Sequence, residues 1–200
     1  MDGSQAYQIR RFRETDLERV IEINRRCLPE NYTSYFFLEI HHSNPEAFLV
    51  AETGGKVVGY VMCRVEHGLS DLLKFKLTKK GHVVSLAVLP EYRLRGLATL
   101  LMLKAMENLY EKYSCNEIYL EVRVSNDSAI KLYRKLGFKG NKVISHYYID
   151  GEDALLMARK LPLEAEEVIQ LKGGFSSKLG AWLHLTLHRL SMMHDSFSVD

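Results

Sequence analysis

The stretch His82-Val83-Val84-Ser85-Leu86-Ala87-Val88-Leu89, followed by Pro90-Glu91-Tyr92 and Arg93-Leu94-Arg95-Gly96-Leu97-Ala98, sets the reading of the whole chain. Its first eight residues are almost continuously apolar, as a strand buried on both faces requires. Its last six form a basic, glycine-containing turn, and Gly96–Tyr113 continues at helical spacing through Leu97, Leu100, Leu101, Leu103, Met106 and Leu109. A strand that turns into a helix start is an anion site. The first N–H groups of a helix have no carbonyl partner, the dipole favours negative charge, and glycine allows close backbone approach. Arg93 and Arg95 add charge that a pyrophosphate can use.

Working outward, Tyr7–Arg13 alternates as a first strand. Thr15 and Glu18 have capping-box spacing before an apolar helical pattern that Pro29 stops, and a second, aromatic-rich helix is expected over Ser34–His42. Ala47–Glu52 and Lys56–Val65 read as a hairpin about Gly54-Gly55, and His67–Lys80 as a polar connection. After the central helix come a strand over Glu117–Val124 and a helix capped by Ser125-Asn126 and ended by Gly137. Two last strands, Val143–Ile149 and Ala154–Arg159, flank the turn Asp150-Gly151. The order predicts an α/β fold, a mixed central sheet of about seven strands with helices on both faces.

Composition narrows the class. The 200 residues suit one domain, and 46% apolar with 26% charged residues is a globular balance. A net charge of +2 makes no case for a nucleic-acid or membrane-surface partner. No apolar run approaches the ~18–20 residues that span a bilayer, and Met1–Ile9 is polar, so neither a span nor a signal peptide is expected and the cytoplasm is the expected location. Cys27, Cys63 and Cys115 are scattered and odd in number, which fits a reducing compartment. From Pro162 the character changes. Glu164–Leu171 reads as a short helix, and Leu179–Met193 as an amphipathic one carrying Trp182, His184 and His188. Those two histidines lack a third ligand and read as helix surface.

One run extends the anion site. Asn126 stands at a helix start and Tyr133 two turns along that helix, followed by Gly137-Phe138. The series Arg-x-x-Gly-x-Ala, helix, strand, Ser-Asn, helix, Tyr, Gly-Phe resembles the acetyl-CoA core of the GNAT acetyltransferases. Leu94 departs from it, standing where a second arginine is frequent. Three further segments, Leu28-Pro29-Glu30-Asn31-Tyr32, Leu120–Asn126 and Tyr147–Ala154, resemble catalytic subunits of NatA-type protein N-terminal acetyltransferases. They are most similar to archaeal members related to bacterial RimI, which share the Gly81–Ser85 strand start.

The resemblance implies a GNAT domain over residues 1–161 and a helical extension over 162–200. It implies acetyl-CoA as cosubstrate, no required metal, direct transfer to the α-amine of polypeptides, and a ribosome or auxiliary subunit as candidate partners. Leu86, Ala87 and Val88 would hold the pantetheine arm, and Arg93, Leu94, Arg95, Gly96, Leu97, Ala98 and Thr99 the phosphates, with Asn126, Tyr133, Arg134 and Lys135 also on the cofactor side. Glu30 or His82 would serve as base, Glu121 would orient His82 or join the proton relay, and Tyr133 would protonate or hydrogen-bond the leaving thiolate. Tyr32, Tyr147 and Tyr148 would wall the peptide slot. By residue type alone, each of these is equally an ordinary loop carboxylate, strand-end histidine or packing tyrosine. The residue types also leave open transfer to lysine or small-molecule amines, and a silent acyl-CoA-binding module. No cysteine sits in a setting that would activate a thiolate, so a covalent route is not expected.

Overall fold

Strand β1 (Tyr7–Arg11) leads into helices α1 (Leu17–Cys27) and α2 (Ser34–Ser43), then strands β2 (Phe48–Thr53), β3 (Lys56–Leu69) and β4 (Leu77–Val88). Helix α3 (Leu97–Tyr113), strand β5 (Glu117–Arg123), helix α4 (Asp127–Lys135), strands β6 (Lys139–Ile144) and β7 (Ala154–Lys160) and helix α5 (Ala165–Gly173) complete it. This computed structural model describes residues 6–73 and 75–173. The expected helix over Leu179–Met193 lies outside the described residues. No helix among the described residues is long and apolar enough to cross a membrane.

All seven strands form one sheet in the order β1-β2-β3-β4-β5-β7-β6, the mixed α/β architecture that the sequence predicts. Only β4 and β5 run parallel. Along β3 from Gly59 onward, even-numbered residues face one side and odd-numbered residues the other. Tyr60 meets Asn24 of α1 at 3.0 Å, so the even side carries α1 and α2. Gly81, opposite Val65 and therefore on the odd side, lies against Leu109 of α3. Helices thus cover both faces. The core joins Phe12, Phe37, Phe48 and Tyr60 on the first side to Leu101, Met102 and Met106 of α3.

Three local expectations are corrected. The His67–Lys80 connection is instead the outer part of the β3/β4 hairpin, paired out to Leu69↔Leu77. These arms extend past the core, so apolar residues such as Leu69 and Leu77 stay exposed and strand pairing there leaves no apolar alternation to read. The strand expected over Val143–Ile149 is β6 at Lys139–Ile144, an exposed edge strand, and the apolar Tyr147–Ile149 lies in the loop after it. The first helix is entered through Asp16, whose carboxylate accepts from the Arg13 N–H at 2.8 Å, rather than through Thr15 and Glu18.

One feature of the sheet positions everything else. The parallel ladder pairs only Lys80–His82 with Glu117–Tyr119. Beyond it β4 keeps its pairing with β3, β5 keeps its pairing with β7, and the two strands part. Val84 is the extra residue of a bulge, with Val83 opposite Cys63 and Ser85 opposite Met62, which bends β4 where the gap opens. Past the expected boundary at Leu161, α5 rests Leu171 against the core and Glu167 on Arg159 at 3.0 Å.

Candidate active site

Strand pairing puts the chemistry-bearing side chains on the α1 side. His82 is opposite Arg64 and also opposite Tyr119, and partners in a ladder share a face. Glu66 follows Arg64 by two residues, and Glu121 and Arg123 follow Tyr119 by two and four, so all emerge together. The His82 ring stacks on Tyr119 with centroids 4.4 Å apart. Its Nε2 lies 2.7 Å from Glu121 Oε2 and its Nδ1 3.3 Å from Glu66 Oε1. Tyr119 donates its hydroxyl to Glu66 Oε2 at 2.6 Å, and Arg64 Nε is 2.5 Å from Glu66 Oε1. Burial opposes the charge on Glu66, but the Tyr119 hydroxyl, His82 and Arg64 outweigh it and hold the carboxyl below its ordinary range. Burial and the Glu66 carboxylate push the Tyr119 hydroxyl well up, so it stays a donor.

Two loops close over this cluster. The α1–α2 break brings Glu30, whose backbone carbonyl accepts from Asn24 Nδ2 at 3.1 Å, and Tyr32, whose hydroxyl donates to the bulge carbonyl of Val84 at 3.3 Å. The β6–β7 loop brings Tyr147 and Tyr148, packed edge to face at 5.0 Å, with the Tyr148 hydroxyl 3.4 Å from the Glu121 carbonyl. Arg123 ties the loops together. It bonds Glu30 at 2.6 Å, Asp150 at 2.8 Å and Glu152 at 2.7 Å, and lies 4.0 Å above the Tyr148 ring. Burial pushes the Tyr148 and Tyr147 hydroxyls up, Tyr147 to about 12 with Glu121 adding to the effect, so both remain neutral donors.

The opposite side holds the anion turn. Gly96 has φ +84° and caps α3, and the first bond the turn closes runs from Leu100 N–H to the Gly96 carbonyl at 3.0 Å. The N–H groups of Leu97, Ala98 and Thr99 precede it and have no helical acceptor. Leu94 also takes a positive φ, +57°, and its side chain is fully exposed. Arg93 Nε bonds the Val88 carbonyl at 2.9 Å and Arg95 Nη1 the Tyr7 hydroxyl at 2.9 Å, which holds both guanidinium groups beside the turn. Leu86, Ala87 and Val88 occupy the part of β4 that has parted from β5. A Cβ on Gly59 would come within 2.9 Å of the Ala87 carbonyl, so glycine there allows β3 and β4 to pair without displacing this segment.

Asn126 caps α4 by accepting from the Ala129 N–H at 3.1 Å. Tyr133 lies one face of α4 inward, buried beside Phe138, while Arg134 and Lys135 are exposed. The Tyr133 hydroxyl has no hydrogen-bond partner among the described residues, and burial pushes it well up, with the nearby Cys63 adding to the effect. A neutral, unpaired donor beside a strand gap and a helix start with spare N–H groups fit an acyl thioester on a phosphate-bearing carrier. No group of three or more His, Cys, Asp or Glu among the described residues is arranged to hold a metal ion.

Of the expected residues, His82, Glu121, Tyr32, Tyr147 and Tyr148 gather at one mouth of the gap. Glu30 joins them with its carboxylate held by Arg123, and the turn and Tyr133 stand on the far side. Sequence reasoning missed Arg64, Glu66, Tyr119 and Arg123. Arg123 had a signal, since it lies in one of the segments carrying the resemblance and faces two acidic residues of another. Glu66 had none, because it sits beyond the end assigned to its strand.

Residues 17–138 match the acetyltransferase (GNAT) family. An N-alpha-acetyltransferase of Sulfurisphaera tokodaii is 55% identical over 156 residues, covering 78% of this chain and 93% of that protein. The crystal structure of Ard1 from Thermoplasma volcanium superposes with a TM-score of 0.67 at 31% identity, over 79% of this chain and 99% of that one. A chain of the NatB acetyltransferase complex bound to CoA and MES superposes with a TM-score of 0.65 at 31% identity, over 78% of this chain and 99% of that one.

Proposed function

The chain belongs to the acetyltransferase (GNAT) family, and on that premise we propose that it transfers acetyl from acetyl-CoA to the α-amine of polypeptides. The observation that carries the proposal is the gap between β4 and β5, with a carboxylate–imidazole cluster at one mouth and Tyr133 and the anion turn at the other. The N-alpha-acetyltransferase at 55% identity supports the choice of acceptor.

When bound, acetyl-CoA supplies an activated carbonyl carbon, to which the amine nitrogen bonds as the carbon–sulfur bond breaks. The spare N–H groups of Leu97, Ala98 and Thr99, with Arg93 and Arg95, hold the phosphates. The outer edge of Leu86–Val88 offers backbone groups to the pantetheine arm in the manner of an added strand. Tyr32, Tyr147 and Tyr148 line the peptide's entry, and Glu121, His82 and Glu66 make its end electronegative, which favours an ammonium. An α-amine titrates near 8, so part of it arrives neutral and the site has one proton to remove. His82 with Glu121 is placed to take that proton. Glu30 spends its Oε1 on two Arg123 donors and instead shapes the slot. Tyr133 donates to the departing sulfur. Burial raises Cys63, and raises Cys115 to about 11, while Cys27 turns its thiol to the Val88 carbonyl at 3.7 Å with no cation or histidine paired to it among the described residues, so the reading is direct transfer in a ternary complex.

An auxiliary subunit belongs to the same proposal, supported by the likeness to a chain of the NatB complex. So does a cytoplasmic setting, where polypeptides with free α-amines emerge. The deciding assay follows acetyl-CoA consumption with short lysine-containing peptides whose α-amine is free or blocked. Turnover confined to the free peptides is expected. Turnover on the blocked peptides alone would reassign the acceptor to lysine, and cofactor binding without turnover on any amine would make the protein an acyl-CoA-binding module.

A further inference from the structure

One imidazole stands between two carboxylates, and this constrains its protons. Neutral histidine offers one N–H and one acceptor nitrogen, so it can satisfy only one of two ionised carboxylates. His82 faces Glu66 through Nδ1 and Glu121 through Nε2. The two acids differ in their other partners. Glu66 accepts from the Tyr119 hydroxyl and also pairs with Arg64, whereas Glu121 has the Tyr147 hydroxyl beside it and His82 as its only cationic partner among the described residues. Glu66 is therefore the fixed anion, in keeping with its lowered titration.

We propose that Glu66 is a positioning residue that holds His82 as the Nδ1–H tautomer, so that Nε2 and Glu121 form one shared proton site facing the acceptor amine. The proposal rests on the acyl-transfer reading above. When loaded, the site keeps a single proton between Nε2 and Oε2, as the 2.7 Å separation fits. When empty, it receives the one proton the amine loses as its nitrogen bonds carbon, and releases it to solvent before the next turnover. Without Glu66, neutral His82 would turn its N–H toward the Glu121 carboxylate and fill the site with a proton it does not give up.

The surroundings of the pair are Arg64 and Glu66 from β3, Lys80 from β4, which lies 4.3 Å over the Tyr119 ring, Tyr119 and Arg123 from β5, and Tyr32, Glu30 and Tyr147 from the loops. Of these, Glu66 alone touches Nδ1.

The test is ¹⁵N NMR of the histidine-labelled full chain, with the His82 signal assigned by loss in His82→Gln. With the ring neutral, the wild type is expected to show protonated Nδ1 and acceptor Nε2. Glu66→Leu should move the proton to Nε2 and lower kcat about ten- to a hundredfold with peptide KM little changed. Glu66→Gln, whose amide oxygen can still accept from Nδ1, should keep the wild-type tautomer and more of kcat. Tyr119→Phe, which frees Glu66, should give a mixture. A wild-type ring protonated at Nε2, or an unchanged tautomer in Glu66→Leu, would overturn the proposal. The spectra do not depend on turnover. An Nδ1–H ring in an enzyme that acetylates no α-amine would sink the functional reading and leave the tautomer assignment standing.

Discussion

Arg123 donates to one oxygen of Glu30 twice, from Nε at 3.0 Å and from Nη2 at 2.6 Å. A strand end and a loop separated by more than ninety residues of chain are locked by this one contact. With its Asp150 and Glu152 contacts, Arg123 holds both walls of the peptide slot in place.

Its removal should therefore act on binding. Arg123→Ala is expected to raise peptide KM at least about tenfold, as loss of positioning costs about 1.4 kcal/mol or more, with a smaller fall in kcat. Glu30→Gln keeps an oxygen that can accept from Arg123 and should leave kcat nearly unchanged. Steady-state kinetics on a free α-amine peptide decides this, and a collapse of kcat in Glu30→Gln would return Glu30 to the role of base.

The same hub gives stability a pH signature. Hydrogen bonds from Ser125 and Arg123 lower the Glu152 carboxyl to about 2. Asp16 is also lowered, because bonds from Arg10 and Arg13 outweigh its burial. A carboxyl depressed in the folded state stabilises fully above its unfolded value, and that contribution fades as pH falls toward the folded value. Between pH 4.5 and 3 the wild-type Tm should thus fall more steeply than that of Glu152→Gln. Parallel curves would remove Glu152 from the acid response.

What was legible in the chain follows from which forces leave a pattern. Burial on both faces makes His82–Leu89 a continuous apolar run, and Leu97–Leu109 shows one face of a helix, so the centre of the fold could be read directly. The outer β3/β4 hairpin and β6 are held by backbone bonding at exposed positions, where side chains carry little periodicity. Tyr147 and Tyr148 serve the slot and Ile149 is exposed, so none of the three packs in the sheet, which made a loop look like a strand. In the site, His82, Glu121 and the three tyrosines were reached through the family resemblance. Glu66 reaches His82 only through the register of β3 against β4, a relation that no local spacing encodes.

On the cofactor side, Arg93 and Arg95 are held beside the α3 start by Val88 and Tyr7, so charge is placed before any ligand arrives. Replacing both with alanine should weaken acetyl-CoA binding by about 1.5–3 kcal/mol, the range for a hydrogen bond to a charged group. The backbone N–H groups remain, so binding should be reduced and not abolished. Calorimetric titration with acetyl-CoA checks this, and unchanged affinity would leave the turn's backbone as the whole phosphate site.

Tyr133 separates chemistry from binding most cleanly. It is buried, its hydroxyl is unpaired among the described residues, and burial pushes its titration well up, so at working pH it keeps a proton to donate. A donor with no protein partner among the described residues breaks no bond to them when it turns toward a thiolate that gains charge as the acetyl group leaves. Tyr133→Phe keeps the ring against Phe138 and removes the donor alone. It should lower kcat about a hundredfold, the low end of general acid catalysis, while acetyl-CoA affinity and Tm stay near wild type. The loss should shrink with thioester analogues whose thiol is more acidic, because a better leaving group needs less help from a proton. Equal losses across such a series would mean that the hydroxyl acts on position and not on the departing sulfur.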